Sequence, residues 1–185
     1  KGSVLFFIAD KKEETTAKQA GMIRIELGKK LDLLDSNKFE FCIVNDFPMF
    51  EYNEEEGKFD FGHNPFSMPQ GGMDSLLNKP KEDILAYQYD FVCNGNEMAS
   101  GAVRNHDIEI MKKAFEIAGY PEEEVKNRFR SLYTAFQFGA PPHAGMAPGI
   151  DRIIMLLKDE PNLREVQAFP MSVSGQDNLM GCHSD

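Results

Sequence analysis

Apolar and polar positions alternate along this chain with two different periods, and each change of period marks an element. Residues 3–8, SVLFFI, form an unbroken apolar run that predicts a buried strand. Over residues 12–29, Ala17, Ala20, Ile23 and Leu27 recur at helical spacing, and Gly28 reads as the stop. Residues 39–44 alternate as a strand. The next two extended stretches, residues 49–52 and 59–61, flank the acidic turn at 53–57 and predict a hairpin. Its Glu54, Glu55 and Glu56 read as a solvated turn rather than a metal site, because no partner ligand lies nearby. Residues 67–83, rich in Pro, Gly and polar side chains, read as a loop.

A second strand over residues 86–93 runs into Asn94-Gly95, the sequence of a two-residue type I′ hairpin turn. Such a turn pairs Cys93 with Asn96, Val92 with Glu97 and Phe91 with Met98. Asp90 then shares a face with Glu97 as a diagonal cross-strand neighbour. Two carboxylates so placed repel unless a positive group lies between them. Mg²⁺ held by both together with ATP phosphates would satisfy them; two exposed acids on a sheet face is the other reading. On spacing alone the exposed acids are the favoured reading.

The rest of the pattern is helical. Asp107 caps a helix over 108–118 with Ile108, Met111, Phe115 and Ala118 on its core face, ended by Gly119. Pro121 suits the first turn of one further helix, whose Val125, Phe129, Leu132, Tyr133 and Phe136 face inward and which Gly139 closes. The stretch FGAPPHAGMAPGIDRIIMLL (138–157) passes from small residues into a helix with Ile150, Ile153, Ile154 and Leu157 on a buried face. At its start Gly149, Asp151 and Arg152 combine unpaired N–H groups with a fixed cation, a place where phosphate can sit. A buried helix with an ordinary surface Arg fits the same residues.

Composition narrows the classes. A length of 185 residues, 42% hydrophobic with 15 Phe, suits one domain with a small appendage. No apolar run is long enough to span a bilayer and no secretory signal is visible; the expected location is the cytoplasm, away from membranes. A first residue of Lys reads as a processed or excised piece. Net charge of −10 opposes bulk binding to nucleic acid, so any RNA contact needs a local basic patch or another part of a larger protein. Cys42, Cys93 and Cys182 form no CxxC pair, which argues against a disulfide framework and a structural zinc.

Three segments resemble one family. GAPPHAGMAPGIDRIIMLL is similar to motif 3 of class II aminoacyl-tRNA synthetases, in the form of the bacterial-type aspartyl enzymes. YDFVCNGNEMASGAVRNH resembles that family's magnesium and substrate signature. HNPF at 63–66 resembles its HHPF segment, with Asn64 in place of the second His. The opening residues resemble the tail of the family's GAD insertion domain, and LREV and AFPM resemble its closing segments. The fold implied is α+β: an antiparallel sheet flanked by helices, here a partial catalytic domain. Residues 1–35 would be the insertion-domain remnant and 36–185 the C-terminal half of the catalytic domain.

The resemblance implies an aspartate–tRNA ligase, which activates L-aspartate with ATP to aspartyl-adenylate and passes it to the 3′ end of tRNA. It assigns Asp90 and Glu97 to Mg²⁺, and His63 and Arg104 to aspartate. Glu97, Gly149, Ile150, Asp151 and Arg152 fall to ATP. The parent would be a homodimer. Arg104 stands seven positions from Glu97, so strict alternation would send it to the other face. For both to reach one pocket the strand must shift register, and a bulge at Ala99-Ser100-Gly101 is the expected place. No counterpart of motifs 1 and 2 is found, so the chain is expected to be inactive alone. A non-catalytic, synthetase-derived binding module is the alternative.

Overall fold

A computed structural model describes residues 2–35, 37–177, 179 and 181–183, without the side chains of residues 14, 182 and 183. The expected domain boundary at 35/36 touches a position outside the described residues. The chain divides into two units, Lys1–Phe39 and Glu40–Asp185.

The first unit holds one helix, α1 (Glu13–Lys30). Gly28 is not its stop. The helix closes two residues later, where Asp32 turns left-handed (φ 52°). There the Leu33 N–H bonds the Gly28 carbonyl and the Asp32 N–H bonds that of Lys29, which satisfies two of the last carbonyls. Residues 3–8 form no strand, and Phe7 is 88% exposed. An apolar run becomes a strand only when a neighbour takes its backbone N–H and C=O groups, and none of the described residues does so.

The second unit is built on a four-stranded antiparallel sheet in the order β1-β4-β5-β6. Its strands are β1 (Phe41–Pro48), β4 (Leu85–Cys93), β5 (Asn96–Val103) and β6 (Ala144–Pro148). Between β1 and β4 lie the hairpin β2 (Phe50–Asn53) and β3 (Lys58–Phe61) and the short helix α2 (Gly72–Asn78). Residues 67–83 are therefore not simply a loop. Leu76 and Ser75 of α2 are buried, and Ser67 and Pro69 bridge to Arg104 and Ala86. The acidic turn is solvated, and Lys58 pairs with Glu56 at 2.7 Å.

Helix α3 (Ile108–Ile117) starts on Asp107, whose carboxylate accepts from the Glu109 and Ile110 N–H groups at 2.9 and 3.2 Å. It ends where Gly119 turns left-handed (φ 85°) and Tyr120 folds back to bond the Phe115 carbonyl. The single helix expected after Pro121 is two, α4 (Glu122–Arg128) and α5 (Arg130–Gln137). The break falls at Phe129 (φ −120°, ψ 35°), whose ring meets those of Phe66 at 4.9 Å and Phe115 at 5.8 Å. Packing of one aromatic against two others overrides a continuous helical pattern.

Two apolar clusters fill the unit. Met49, Phe50, Leu76, Ile84, Ala86, Ala114 and Ala118 form one; Met111, Phe115, Val125, Tyr133 and Phe136 form the other, and Phe61 packs against both. The last helix, α6 (Ile150–Leu157), departs from expectation in its orientation. Met155 is buried, while Ile150 and Leu157 are 62% and 66% exposed. The pattern singles out the face of Ile150, Ile153, Ile154 and Leu157, yet the structure leaves Ile150, Ile154 and Leu157 exposed and turns Met155 and Arg152 toward the rest of the unit.

Candidate active site

The site begins with the hairpin β4–β5. Asn94 and Gly95 take φ values of 48° and 80°, the paired left-handed geometry of a type I′ turn. Cys93 faces Asn96 and Val92 faces Glu97, as the turn dictates; Phe91 then faces Ala99 instead of Met98. Met98 is the extra residue of a bulge, one position before the place expected. From there Asp90 faces Ser100 and Gln88 faces Ala102. One inserted residue puts Glu97, Ser100, Ala102 and Arg104 on the face that carries Gln88 and Asp90.

That face lines a cavity of about 520 Å³. Gln88, Asp90, Glu97, Ser100, Ala102 and Arg104 form its floor, His63 and Asn64 one wall, and Gly145, Met146 and Ala147 of β6 another. Gly101 also lines it and lets the strands close up. A Cβ there would lie 2.4 Å from the Tyr89 ring and 2.6 Å from the Gly145 carbonyl. The Tyr89 hydroxyl crosses over to donate to that carbonyl at 3.0 Å.

The turn that carries His63 is held from both sides. The Asn64 side chain accepts from the Phe66 N–H at 2.9 Å, and its carbonyl accepts from the Ser67 N–H and from the Gln88 amide, each at 3.2 Å. The His63 ring packs on Phe47 at 4.9 Å. Arg104 bonds through its backbone to the His143 carbonyl at 2.9 Å; among the described residues its guanidinium has no carboxylate partner.

Arg152 lies on the first turn of α6 and reaches the same strand. It donates to the Glu97 carbonyl at 2.7 Å and pairs with the Glu97 carboxylate at 3.0 Å. Beside it the Gly149 N–H donates to the Met98 carbonyl at 2.8 Å, so the bulge is clamped by the start of α6. Of the nucleotide candidates only Glu97 lines the cavity. Gly149 is spent on the bulge, Asp151 accepts from Gln167 at 2.7 Å, and Ile150 points outward.

Asp90 and Glu97 form a two-carboxylate donor set, and the described residues contain no group of three or more ligands able to hold a metal. Two carboxylates with open neighbouring space fit Mg²⁺, which keeps waters or phosphate oxygens as its other ligands.

A model of the tRNA synthetases of class II (D, K and N) matches residues 9–173. The chain belongs to that family. It is 58% identical to the Aspartate–tRNA(Asp/Asn) ligase of Rickettsia africae over 99% of this chain and 31% of that protein, and equally to that of Rickettsia conorii. This class II chain thus spans about a third of the length of the relatives it matches. Among solved structures, an aspartyl tRNA synthetase from Entamoeba histolytica covers 91% of it at a TM-score of 0.53 and 25% identity, with 28% of that chain matched. The fold is the mixed helix and antiparallel sheet of this family.

Sequence reasoning missed Gln88, Ser100 and the β6 backbone as parts of the cavity. Gln88 was within reach of it, since it has the same strand parity as Asp90.

Proposed function

We propose that this chain supplies the aspartate pocket and part of the magnesium–ATP pocket of an aspartate–tRNA ligase. The observation that carries the reading is Arg104. A guanidinium without a carboxylate partner among the described residues lines a cavity whose floor also holds two carboxylates. A planar fork of donors is suited to a ligand carboxylate, which it can meet with two parallel hydrogen bonds. In this reading the side-chain carboxylate of L-aspartate lies on Arg104, with His63 beside it.

The substrate's α-carboxylate attacks the α-phosphorus of ATP. One O–P bond forms, the bond to the leaving oxygen breaks, and pyrophosphate departs. The aspartyl group then passes from the adenylate to the 3′ end of tRNA. The protein's part is positioning and charge stabilisation. Asp90 and Glu97 would hold Mg²⁺, which neutralises phosphate charge when bound. Arg152, at the start of α6, would take the nucleotide by exchanging its grip on Glu97 for one on phosphate.

Residues 1–35 belong, in this reading, to an insertion domain and 36–185 to the motif 3 half of a catalytic domain. Aspartate, ATP and tRNA are the partners of the whole enzyme, a cytoplasmic homodimer. The names of the Rickettsia relatives include both the aspartate and asparagine tRNAs, and we extend that range to this chain. No described helix is long and apolar enough to cross a membrane.

The test is a chimera of the Rickettsia africae ligase in which this chain replaces the matched third, assayed by aspartate-dependent ATP–pyrophosphate exchange. Exchange is expected, with Arg104→Leu raising the KM for aspartate by about a hundredfold or more, the cost of a lost charged partner. Unchanged exchange in Arg104→Leu would overturn the reading.

A further inference from the structure

Gln88 is one of four buried polar side chains among the described residues, with Ser67, Ser75 and Asn105, and of these it alone lines the cavity. It is 5% exposed and stands on β4 two residues before Asp90, opposite Ala102, on the face shared with Arg104. Its amide nitrogen donates to the Asn64 carbonyl at 3.2 Å. The orientation of this amide follows from its partner, since a carbonyl oxygen can only accept and must face the NH₂ end.

That carbonyl closes the turn following His63. Its other donor is the Ser67 N–H, and Ser67 pairs across to Arg104, while the Asn105 N–H bonds the Phe66 carbonyl at 2.7 Å. The turn is thus tied to the sheet at two places, near Arg104 by backbone and near Asp90 by Gln88. The first tie fixes the far end of the turn. The second is a side-chain hydrogen bond, and together with the packing of the His63 ring on Phe47 of β1 it holds the turn beside the cavity floor.

We infer that Gln88 is a positioning residue, which fixes the His63–Asn64 turn over the sheet so that His63 and Arg104 converge on one ligand carboxylate. The inference rests on the aspartate reading above for the identity of that ligand. The tether itself is independent of it.

Two variants test it in the 185-residue chain without ligand. Gln88→Leu keeps the bulk of the side chain and removes the donor. It is expected to shift the His63 ring resonances and to speed amide exchange at Ser67 at least tenfold, the scale of one lost hydrogen bond. The amide resonances of the Asn94-Gly95 turn should stay in place, which reports that the hairpin is still folded. Gln88→Glu supplies a second readout. Its carboxyl can donate to the Asn64 carbonyl only when protonated, so exchange at Ser67 should be slow at low pH and rise reversibly as the group ionises.

An unmoved His63 in Gln88→Leu, or exchange in Gln88→Glu that ignores the ionisation, overturns the positioning role. The ligand is tested in the chimera. There Gln88→Leu should raise the KM for aspartate about tenfold, with the KM for ATP unchanged and kcat within about twofold. If His63 moves and the aspartate KM does not, the tether stands and the assignment of His63 to aspartate falls.

Discussion

Arg152 holds Glu97 by both ends, its main-chain carbonyl at 2.7 Å and its carboxylate at 3.0 Å, across 55 residues of sequence. The contact joins the start of α6 to the strand bearing half of the two-carboxylate set. Both side chains are about two-fifths exposed, so the ion pair alone contributes little. The charge-assisted bond to the carbonyl adds to it. Arg152→Ala is expected to lower the unfolding free energy by about 1–2 kcal/mol. Urea denaturation measures it, and an unchanged midpoint would show that the contact stabilises nothing.

The bulge at Met98 makes a sharper prediction. The unpaired Met98 keeps Arg104 an even number of paired positions from Glu97, so inserting one alanine between Ala102 and Val103 breaks that parity and sends Arg104 away from the face that Asp90 and Glu97 share. The turn at Asn94-Gly95 does not depend on it and should persist. In the Rickettsia chimera the expected result is loss of pyrophosphate exchange to background while the hairpin amide resonances remain. Exchange at even a tenth of the parent rate would show that the face assignment is wrong.

Gly101 is fixed by two neighbours at once. Gly101→Ala must displace both the Tyr89 ring and the Gly145 carbonyl, at an expected cost of about 1–3 kcal/mol, typical of overpacking. Removing the ring with Tyr89→Ala relieves only one clash, so Gly101→Ala should still destabilise in that background. A double-mutant cycle by thermal melting reads the two contributions separately.

Glu122 gives a pH dependence of known sign. The Tyr133 hydroxyl donates to it at 2.6 Å and Lys126 pairs with it at 3.0 Å, and together they hold its carboxyl down at about 2 from an ordinary 4.5. The folded value lies below the unfolded one. Its stabilising contribution is therefore complete above pH 4.5 and is lost as pH falls toward 2. Tyr133→Phe should raise the Glu122 midpoint toward 4.5 in a carboxyl NMR titration and flatten stability across that window. A midpoint that stays near 2 would assign the effect to the lysines instead.

The hairpin was legible in sequence because Asn94-Gly95 is a local signal with a local cause, the left-handed backbone both residues accept. The need for a register shift before Arg104 was legible too, since strand parity is arithmetic. Its position was not. Nothing within residues 96–104 distinguishes Met98 from Ala99 as the inserted residue; the Gly149 N–H, far along the chain, decides it. The same distance separates the other misreadings from their causes. Phe129 breaks a helix because Phe66 and Phe115 claim its ring. The inward face of α6 is chosen by the sheet beneath it, and residues 3–8 find among the described residues no neighbour that would make them a strand. Gln88 went unnoticed because an amide in a strand carries no motif, although its parity with Asp90 was in view.

The clamp on the bulge also sets an order of events. While α6 is undocked, the β4–β5 ribbon can form around its tight turn with Met98 either inserted or paired, and only the paired form separates Glu97 from Arg104. Closing so long a loop is slow compared with hairpin formation. The ribbon should therefore zip first and acquire its working register last, when the helix arrives and selects between the two.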